Sequence, residues 1–302
     1  MPVSRVLLHC GAPKTASTSL QDYFYHHEAL LEQHGVLFLR RHLTRGDYDP
    51  LHKILLRARR VKGKDEAIRE ARQHLRGYDR DPAVQSLLLS NESLLGEPFI
   101  AGKADFYPLA RAGADALKRV FDGYDVQVRF LVRSYERYLP SYYVQYIRRG
   151  GCLTFQAFID AINLESLSWL RPADALRAAF GPERVRILDY DDLVQAPDAT
   201  LARLLEGFVP RPLPPFNPGT YRRAAAVGGL ALDATRLGNR LLTKLSSKPP
   251  RDLGMITRNL VLKPLSLLTP HRPLALPPDL ADRLAGRYQQ DRAQLCGYTN
   301  GH

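Results

Sequence analysis

No run of roughly eighteen uncharged apolar residues occurs anywhere in the chain, so no membrane-spanning helix is expected. Near the start, the apolar run is only Val6, Leu7 and Leu8 before His9, too short for a secretory signal. Cysteine is scarce. Cys10, Cys152 and Cys296 are odd in number and far apart, which excludes a disulfide framework and a CxxC zinc pattern. A reducing, cytoplasmic compartment follows as the expectation. Internal repeats and low-complexity tracts are absent too. Aromatic residues are not interleaved with the most basic stretch, so the stacking platforms of a nucleic-acid binder are missing.

What is present is an ordinary globular composition: 302 residues, 45% hydrophobic and 25% charged. A core of adequate size needs neither disulfides nor metals at this length. The formal net charge is +12, and 34 of the 43 cationic side chains are Arg, whose planar fork matches phosphate and sulfate oxygens. Such a balance attracts anionic partners, without choosing among nucleotide, acidic sugar, nucleic acid or membrane surface. Thirteen Lys/Arg against six Asp/Glu fall within residues 40–80, where KDEAIREARQHLRGY has the pattern of a charged, solvated helix.

Short apolar runs with turn signals predict buried strands at Val3–His9, Val36–Leu39, Ser86–Ser90, Val126–Val132 and Val185–Leu188. Helical spacing of Leu20, Phe24, His27 and Leu31 fills the first gap and should stop near Gly35. Alternating strands and helices imply an α/β fold with a mostly parallel sheet. Five prolines between Val209 and Pro218 force an extended connection. A helical pattern then runs through Leu230, Ala234, Leu237 and Leu241, and a closing helix is expected over Asp279–Cys296. Between them, residues 247–278 are Pro-rich, basic and apolar together, which suits a lid, an acceptor-binding loop, a membrane-surface patch or a packed irregular connection. We therefore expect one domain over 1–302, with an α/β core at 1–210 that includes the basic helical insertion 40–80. Residues 211–302 form a C-terminal helical and loop section.

The sharpest local signal is LLHCGAPKTASTSLQ, residues 7–21. A strand enters a turn at Gly11, Lys14 follows, and a Thr/Ser-rich helix begins. Backbone N–H groups at a helix start, aided by the helix dipole, make an anion site. Thr15, Ser17, Thr18 and Ser19 add hydroxyls, and Lys14 adds a movable charge. One capping residue would account for one hydroxyl, not four. The magnesium-nucleotide loop, GxxxxGK then Ser or Thr, is not matched, because Pro13 precedes Lys14. Nor is GxGxxG, since Gly11 stands alone.

This loop resembles that of the sulfotransferases using 3′-phosphoadenosine-5′-phosphosulfate (PAPS), whose first loop reads Gly-x-x-Lys-(Thr/Ser)-Gly-(Thr/Ser)-(Thr/Ser). Bacterial members often share the preceding His and following Gln, here His9 and Gln21. Ala16 departs from the pattern, standing at a usual Gly position, where a Cβ is comfortable only in right-handed backbone. A second segment, VQVRFLVRSYERYLPSYYVQYIRRG, places Arg133 at a strand end and Ser141 eight residues on. In this family such a pair holds the donor's 3′-phosphate, a role suited to an Arg fork and a hydroxyl donor. The five tyrosines on that helix read as packing. Resemblance extends in outline to Glu92, VRILDYDDL and FNPGTYRR, where Arg222 and Arg223 would add phosphate contacts.

The resemblance implies a P-loop-NTPase-like three-layer fold and sulfuryl transfer from PAPS to an acceptor hydroxyl or amine, releasing adenosine 3′,5′-bisphosphate without a metal. Implied donor contacts are Gly11, Lys14, Thr15, Ala16, Ser17, Thr18, Ser19, Arg133 and Ser141. Lys14 would neutralise the leaving phosphate, and Glu92 at the third strand's end would be the general base, with Glu97 and His9 in reserve. Acceptors would be small molecules, carbohydrates or lipids, with no nucleic acid and at most peripheral membrane contact. Oligomeric state is not legible. Two rivals stay open: a kinase with a divergent loop, needing ATP and magnesium, and a non-catalytic polyanion-binding module.

Overall fold

The computed structural model describes residues 3–41, 48–60, 62–100, 105–209, 213–220, 228–245, 250–268 and 274–297. The chain forms two compact units: Met1–Arg133, Glu165–Arg222 and Gln290–His302 make the first, Ser134–Leu164 and Arg223–Gln289 the second.

In the first unit, five strands build one sheet: β1 (Arg5–His9), β2 (Val36–Leu39), β3 (Ser86–Ser90), β4 (Asp125–Val132) and β5 (Val185–Asp189). Their order is β2-β3-β1-β4-β5, and every pairing is parallel. Parallel strands covered on both faces need apolar residues at consecutive positions. Val6, Leu7 and Leu8 of β1 are accordingly all buried, as are Leu87, Leu88 and Leu89 of β3.

Right-handed crossovers decide which face each connection covers. The chain leaves β1 toward the β2 edge, then moves the opposite way through β3, β4 and β5. One face of the sheet (Leu7, Leu88, Leu131, Leu188) meets Leu20 and Phe24 of the helix Ser17–His26 together with Leu201, Leu204 and Leu205 of the helix Pro197–Leu205. On the other face Phe130 packs edge-on against Trp169, beside the helix Leu170–Phe180, which lies along the helix Ala110–Val120. This is the three-layer α/β arrangement expected from the sequence.

Local departures have physical reasons. The helix after β1 breaks at His27 (φ −112°) into Ser17–His26 and Glu28–Gln33, and Gly35 (φ +69°) ends it. Inside the basic segment, the helix Lys64–Leu75 is not merely solvated: Ala67, Ile68, Ala71 and Leu75 are buried and only its outer face is charged. A second helix, Leu51–Ala58, buries Leu51, His52, Ile54, Leu55 and Ala58.

The second unit is helical. The helix Tyr135–Arg148 carries buried Tyr135, Tyr138, Tyr142 and Tyr143, with Tyr142 and Tyr143 against Phe158 of the helix Phe155–Asp160. The helices Gly229–Leu245 and Pro250–Thr257 follow, the latter continuing through a π-helical turn, Arg258–Leu262, into Lys263–Leu268. The described part of the Pro-rich stretch, 250–268 and 274–278, is therefore mainly helical, with Pro250 at the tolerated first position. A Cβ on Gly254 would lie 2.2 Å from the Gly150 nitrogen, so close approach of these backbones demands glycine. The closing helix is Pro278–Gly297, whose residues up to Gln289 belong to this unit.

Candidate active site

Beyond β1 the chain stays laddered to β4: Cys10 N–H donates to the Arg129 carbonyl (3.0 Å) and Ala12 N–H to the Leu131 carbonyl (2.9 Å). Connections from β1 and β4 depart toward opposite edges, so the crevice where such sheets bind ligands opens between these two strand ends. The Gly11–Ser19 loop stands there. Gly11 is dictated by space rather than by φ. An added Cβ would lie 3.0 Å from His9 Nε2, 3.0 Å from Leu131 Cβ and 3.1 Å from Thr15 Oγ1.

Lys14 (φ +72°) and Ala16 (φ +61°) are left-handed, and Thr15 between them is not. Alternation of this kind turns successive N–H groups toward one point, forming an anion-binding nest. Ala16 thus occupies the backbone state in which its Cβ is unwelcome, at a cost of about 1–2 kcal/mol. It also stands at the N-cap of the helix Ser17–His26, and no side chain caps that helix. Thr15 commits its hydroxyl proton to the Ala12 carbonyl at 2.6 Å, bracing the turn. Ser17 is buried with no partner for its hydroxyl, Ser19 is buried, and Thr18 is exposed. An uncapped helix start beside a buried, unsatisfied hydroxyl fits a phosphate or sulfate group.

A polar path leads from the loop to the end of β3. Gln21 Nε2 donates to the Ser90 carbonyl (3.1 Å), to Ser90 Oγ (3.2 Å) and, at the limit of bonding, to Glu92 Oε2 (3.5 Å). Ser90 Oγ stands 2.8 Å from His9 Nδ1. Ser90 Oγ has one proton to give and a second lone pair beyond the one that accepts from Gln21, so it can pair with either tautomer of His9. His9 Nε2 is buried and has no hydrogen-bond partner among the described residues. Burial is the main reason the His9 pKa falls to about 4, with Arg41 lowering and Glu92 raising it to lesser extents. At neutral pH His9 is therefore uncharged, and its low basicity is a poor fit to the reserve role of base.

Glu92 lies in the turn following Asn91, whose Oδ1 accepts from Ser93 N–H at 3.0 Å. Its carboxylate is ion-paired with Arg41. Burial pushes the carboxyl up, but Arg41, backbone N–H and Gln21 together outweigh this and hold it below the ordinary range. Glu97, the other reserve base, acts electrostatically on Arg59, whose guanidinium also donates to the Ser93 carbonyl. Asn91 Nδ2 contacts His52 Nδ1 at 3.2 Å while His52 Nε2 bonds the Leu39 carbonyl at 2.9 Å. Burial lowers this second histidine to about 4 as well.

Arg133 follows directly on β4. Its NH1 donates to the Lys14 carbonyl at 3.0 Å, its guanidinium carbon lies 4.3 Å from the Tyr190 ring centre, and its carbonyl accepts from Trp169 Nε1 at 2.8 Å. The first unit therefore unites Gly11, Lys14, Thr15, Ala16, Ser17, Thr18, Ser19, Glu92 and Arg133 around the ends of β1, β3 and β4. Ser141 belongs to the second unit, half-buried on the helix Tyr135–Arg148. Arg222 and Arg223 lie outside the described residues. Sequence reasoning missed Arg41 as the partner of Glu92, and Ser90 and Tyr190 as neighbours of His9 and Arg133. Pairs 51 and 81 residues apart leave no local pattern to find.

No family model and no curated protein matches the chain. Solved structures do. A sulfotransferase from Alicyclobacillus acidocaldarius is similar at TM-score 0.44 and 15% identity, over 80% of this chain and 96% of that one. The sulfotransferase domain from the Synechococcus PCC 7002 olefin synthase gives 0.41 and 16%, over 95% of each chain. A sulfotransferase domain from the curacin biosynthetic pathway gives 0.40 and 14%, over 96% of this chain and 98% of its own. Likeness at this level says nothing of activity, which depends on the site.

Proposed function

We propose that the chain is a sulfotransferase taking its sulfuryl group from PAPS and giving it to the hydroxyl or amine of a small-molecule, carbohydrate or lipid acceptor. One observation carries this reading: the left-handed Lys14 and Ala16 frame an uncapped helix start with an unsatisfied buried hydroxyl, and Arg133 of the neighbouring strand end is bonded to that loop. PAPS supplies an activated sulfuryl group on a phosphate leaving group. The donor fits a loop without the magnesium-nucleotide sequence, because Lys14, backbone N–H groups and the Arg133 guanidinium supply the positive charge.

Within that reading each residue has a defined task. Gly11, Ala16 and the first-turn N–H groups of the helix Ser17–His26 grip the 5′ anion, with Ser17, Thr18 and Ser19 adding hydroxyls and Thr15 bracing the turn. Lys14 stabilises charge growing on the leaving phosphate oxygen as the sulfur–oxygen bond breaks. Arg133 grips the 3′-phosphate with its guanidinium fork. Glu92, ionised at neutral pH, accepts the acceptor's proton as the new bond to sulfur forms. His9 faces the anion loop beside Gly11, and Ser90 and Gln21 hold its ring in place.

Radiolabelled PAPS incubated with panels of sugars, lipids and phenols tests this directly. Transfer of label that is lost in Lys14→Ala and sharply reduced in Glu92→Ala is expected. Phosphoryl transfer from ATP with magnesium, and none from PAPS, would favour the kinase reading instead.

A further inference from the structure

Nine large apolar side chains are exposed among the described residues, and eight of them lie in the second unit. Four share one face of the helix Gly229–Leu245: Leu230 (72% exposed), Leu237 (50%), Leu241 (61%) and Leu245 (82%). Offsets of seven, four and four residues place them in a single stripe. The opposite face is satisfied internally. There Ala231, Leu232, Thr235 and Asn239 are buried, and Asn239 Nδ2 donates to the Ile147 and Gly151 carbonyls at 2.9 Å each. The adjoining helical run carries three more exposed side chains, Met255, Ile256 and Leu260.

Cations border these residues. Arg240 and Lys244 follow Leu237 and Leu241 by three positions each and so flank the stripe. Asp233, the one carboxylate of that helix, pairs with Arg236 at 3.2 Å. Arg240, Lys244, Arg258 and Lys263 have no carboxylate partner among the described residues. Arg258 is moreover close enough to Arg148 to help burial lower the pKa of that guanidinium. Asp252 is exposed three and four positions before Met255 and Ile256, yet Arg240, Lys244, Arg258 and Lys263 outnumber it, so this face is net basic and favours an anionic counter-surface. A second copy of the chain would bring the same basic face against itself, which repulsion disfavours.

We propose that the outer face of the helices Gly229–Leu245 and Pro250–Leu268 docks onto an anionic lipid surface, leucines in the acyl boundary and Arg/Lys at the headgroups. No described helix is long and apolar enough to cross a membrane, so the contact is peripheral. The inference does not depend on the sulfotransferase reading.

Co-sedimentation with vesicles of phosphatidylcholine alone, and of phosphatidylcholine with phosphatidylglycerol, tests it, alongside light scattering of the protein in solution. Wild-type chain is expected to pellet with the anionic vesicles and far less with the zwitterionic ones. Leu237→Ser with Leu241→Ser keeps every charge, yet should weaken partitioning by more than roughly tenfold, since two leucines no longer leave water. Arg240→Gln with Lys244→Gln should weaken it at low salt by a comparable factor. As a readout that does not depend on lost binding, Leu241→Trp should show blue-shifted emission on anionic vesicles, the native Trp169 being fully buried. Three results would overturn the proposal: wild-type protein left in the supernatant, equal binding by the serine variant, or a dimer in solution that the serine substitutions dissociate.

Discussion

Arg133 at the end of β4 donates from its guanidinium to the carbonyl of Lys14, 119 positions earlier, at 3.0 Å. One side chain thereby ties the anion loop to the neighbouring strand end and lies against the Tyr190 ring. Arg133→Ala should weaken adenosine 3′,5′-bisphosphate binding about ten- to a hundredfold, the worth of a charge-assisted bond. Arg133→Lys should recover little of it, because an ammonium keeps the charge and loses the planar fork. Calorimetric titration of the three proteins measures both effects.

Ala16 gives a stability test. Its left-handed backbone costs about 1–2 kcal/mol, and glycine there would lose about 0.5–1 kcal/mol through the freer unfolded chain. Ala16→Gly should therefore be neutral or stabilising by up to ~1.5 kcal/mol. Ala71→Gly, in the interior of the helix Lys64–Leu75, should destabilise by about 1 kcal/mol or more. Denaturant melts of both variants check the contrast, and equal losses would contradict it.

The pairing of Arg41 with Glu92 fixes the direction of a pH effect. Burial alone raises the Glu92 carboxyl, and Arg41 heads the groups that bring it below the ordinary range. In the wild type, the acid limb of kcat should fall below the usual carboxylate pKa. In Arg41→Gln it should move upward, as burial then prevails. A pH–rate profile for each protein decides this, and an unmoved acid limb in Arg41→Gln would separate Glu92 from the base role.

His9 and His52 each have a folded pKa near 4 against an ordinary 6.5. Both bind a proton more readily when unfolded, so stability is full above about 6.5 and declines as pH falls toward 4. The loss is about 3 kcal/mol for each group, an order-of-magnitude figure. Urea melts across this window should steepen in pH dependence, and His52→Gln should flatten it by roughly half.

How much of this was readable beforehand follows from the range of each interaction. Strands at Val36–Leu39 and Ser86–Ser90 coincide with the observed ones because a parallel strand buried on both faces is a continuous apolar run. The loop was legible because its parts are contiguous, from Gly11 through Ser19. Left-handedness at Lys14 and Ala16 was not, since neither residue type advertises it. Arg41 beside Glu92 arises only once β2 pairs with β3, and Ser90 beside His9 only once β3 pairs with β1. The residues 134–164 likewise follow β4 without a break in sequence, yet group with residues 223–289, where the helix Tyr135–Arg148 packs on the helices Gly229–Leu245 and Pro250–Thr257 and Asn239 bonds the Ile147 and Gly151 carbonyls.

The most direct test is calorimetric titration of the unmodified chain with adenosine 3′,5′-bisphosphate and with AMP, repeated on Lys14→Ala. Tight binding of the bisphosphate is expected, with AMP weaker by at least about tenfold and the lysine variant greatly impaired. Equal affinity for the two nucleotides, or bisphosphate binding indifferent to Lys14, would contradict a donor gripped by the loop and Arg133 together.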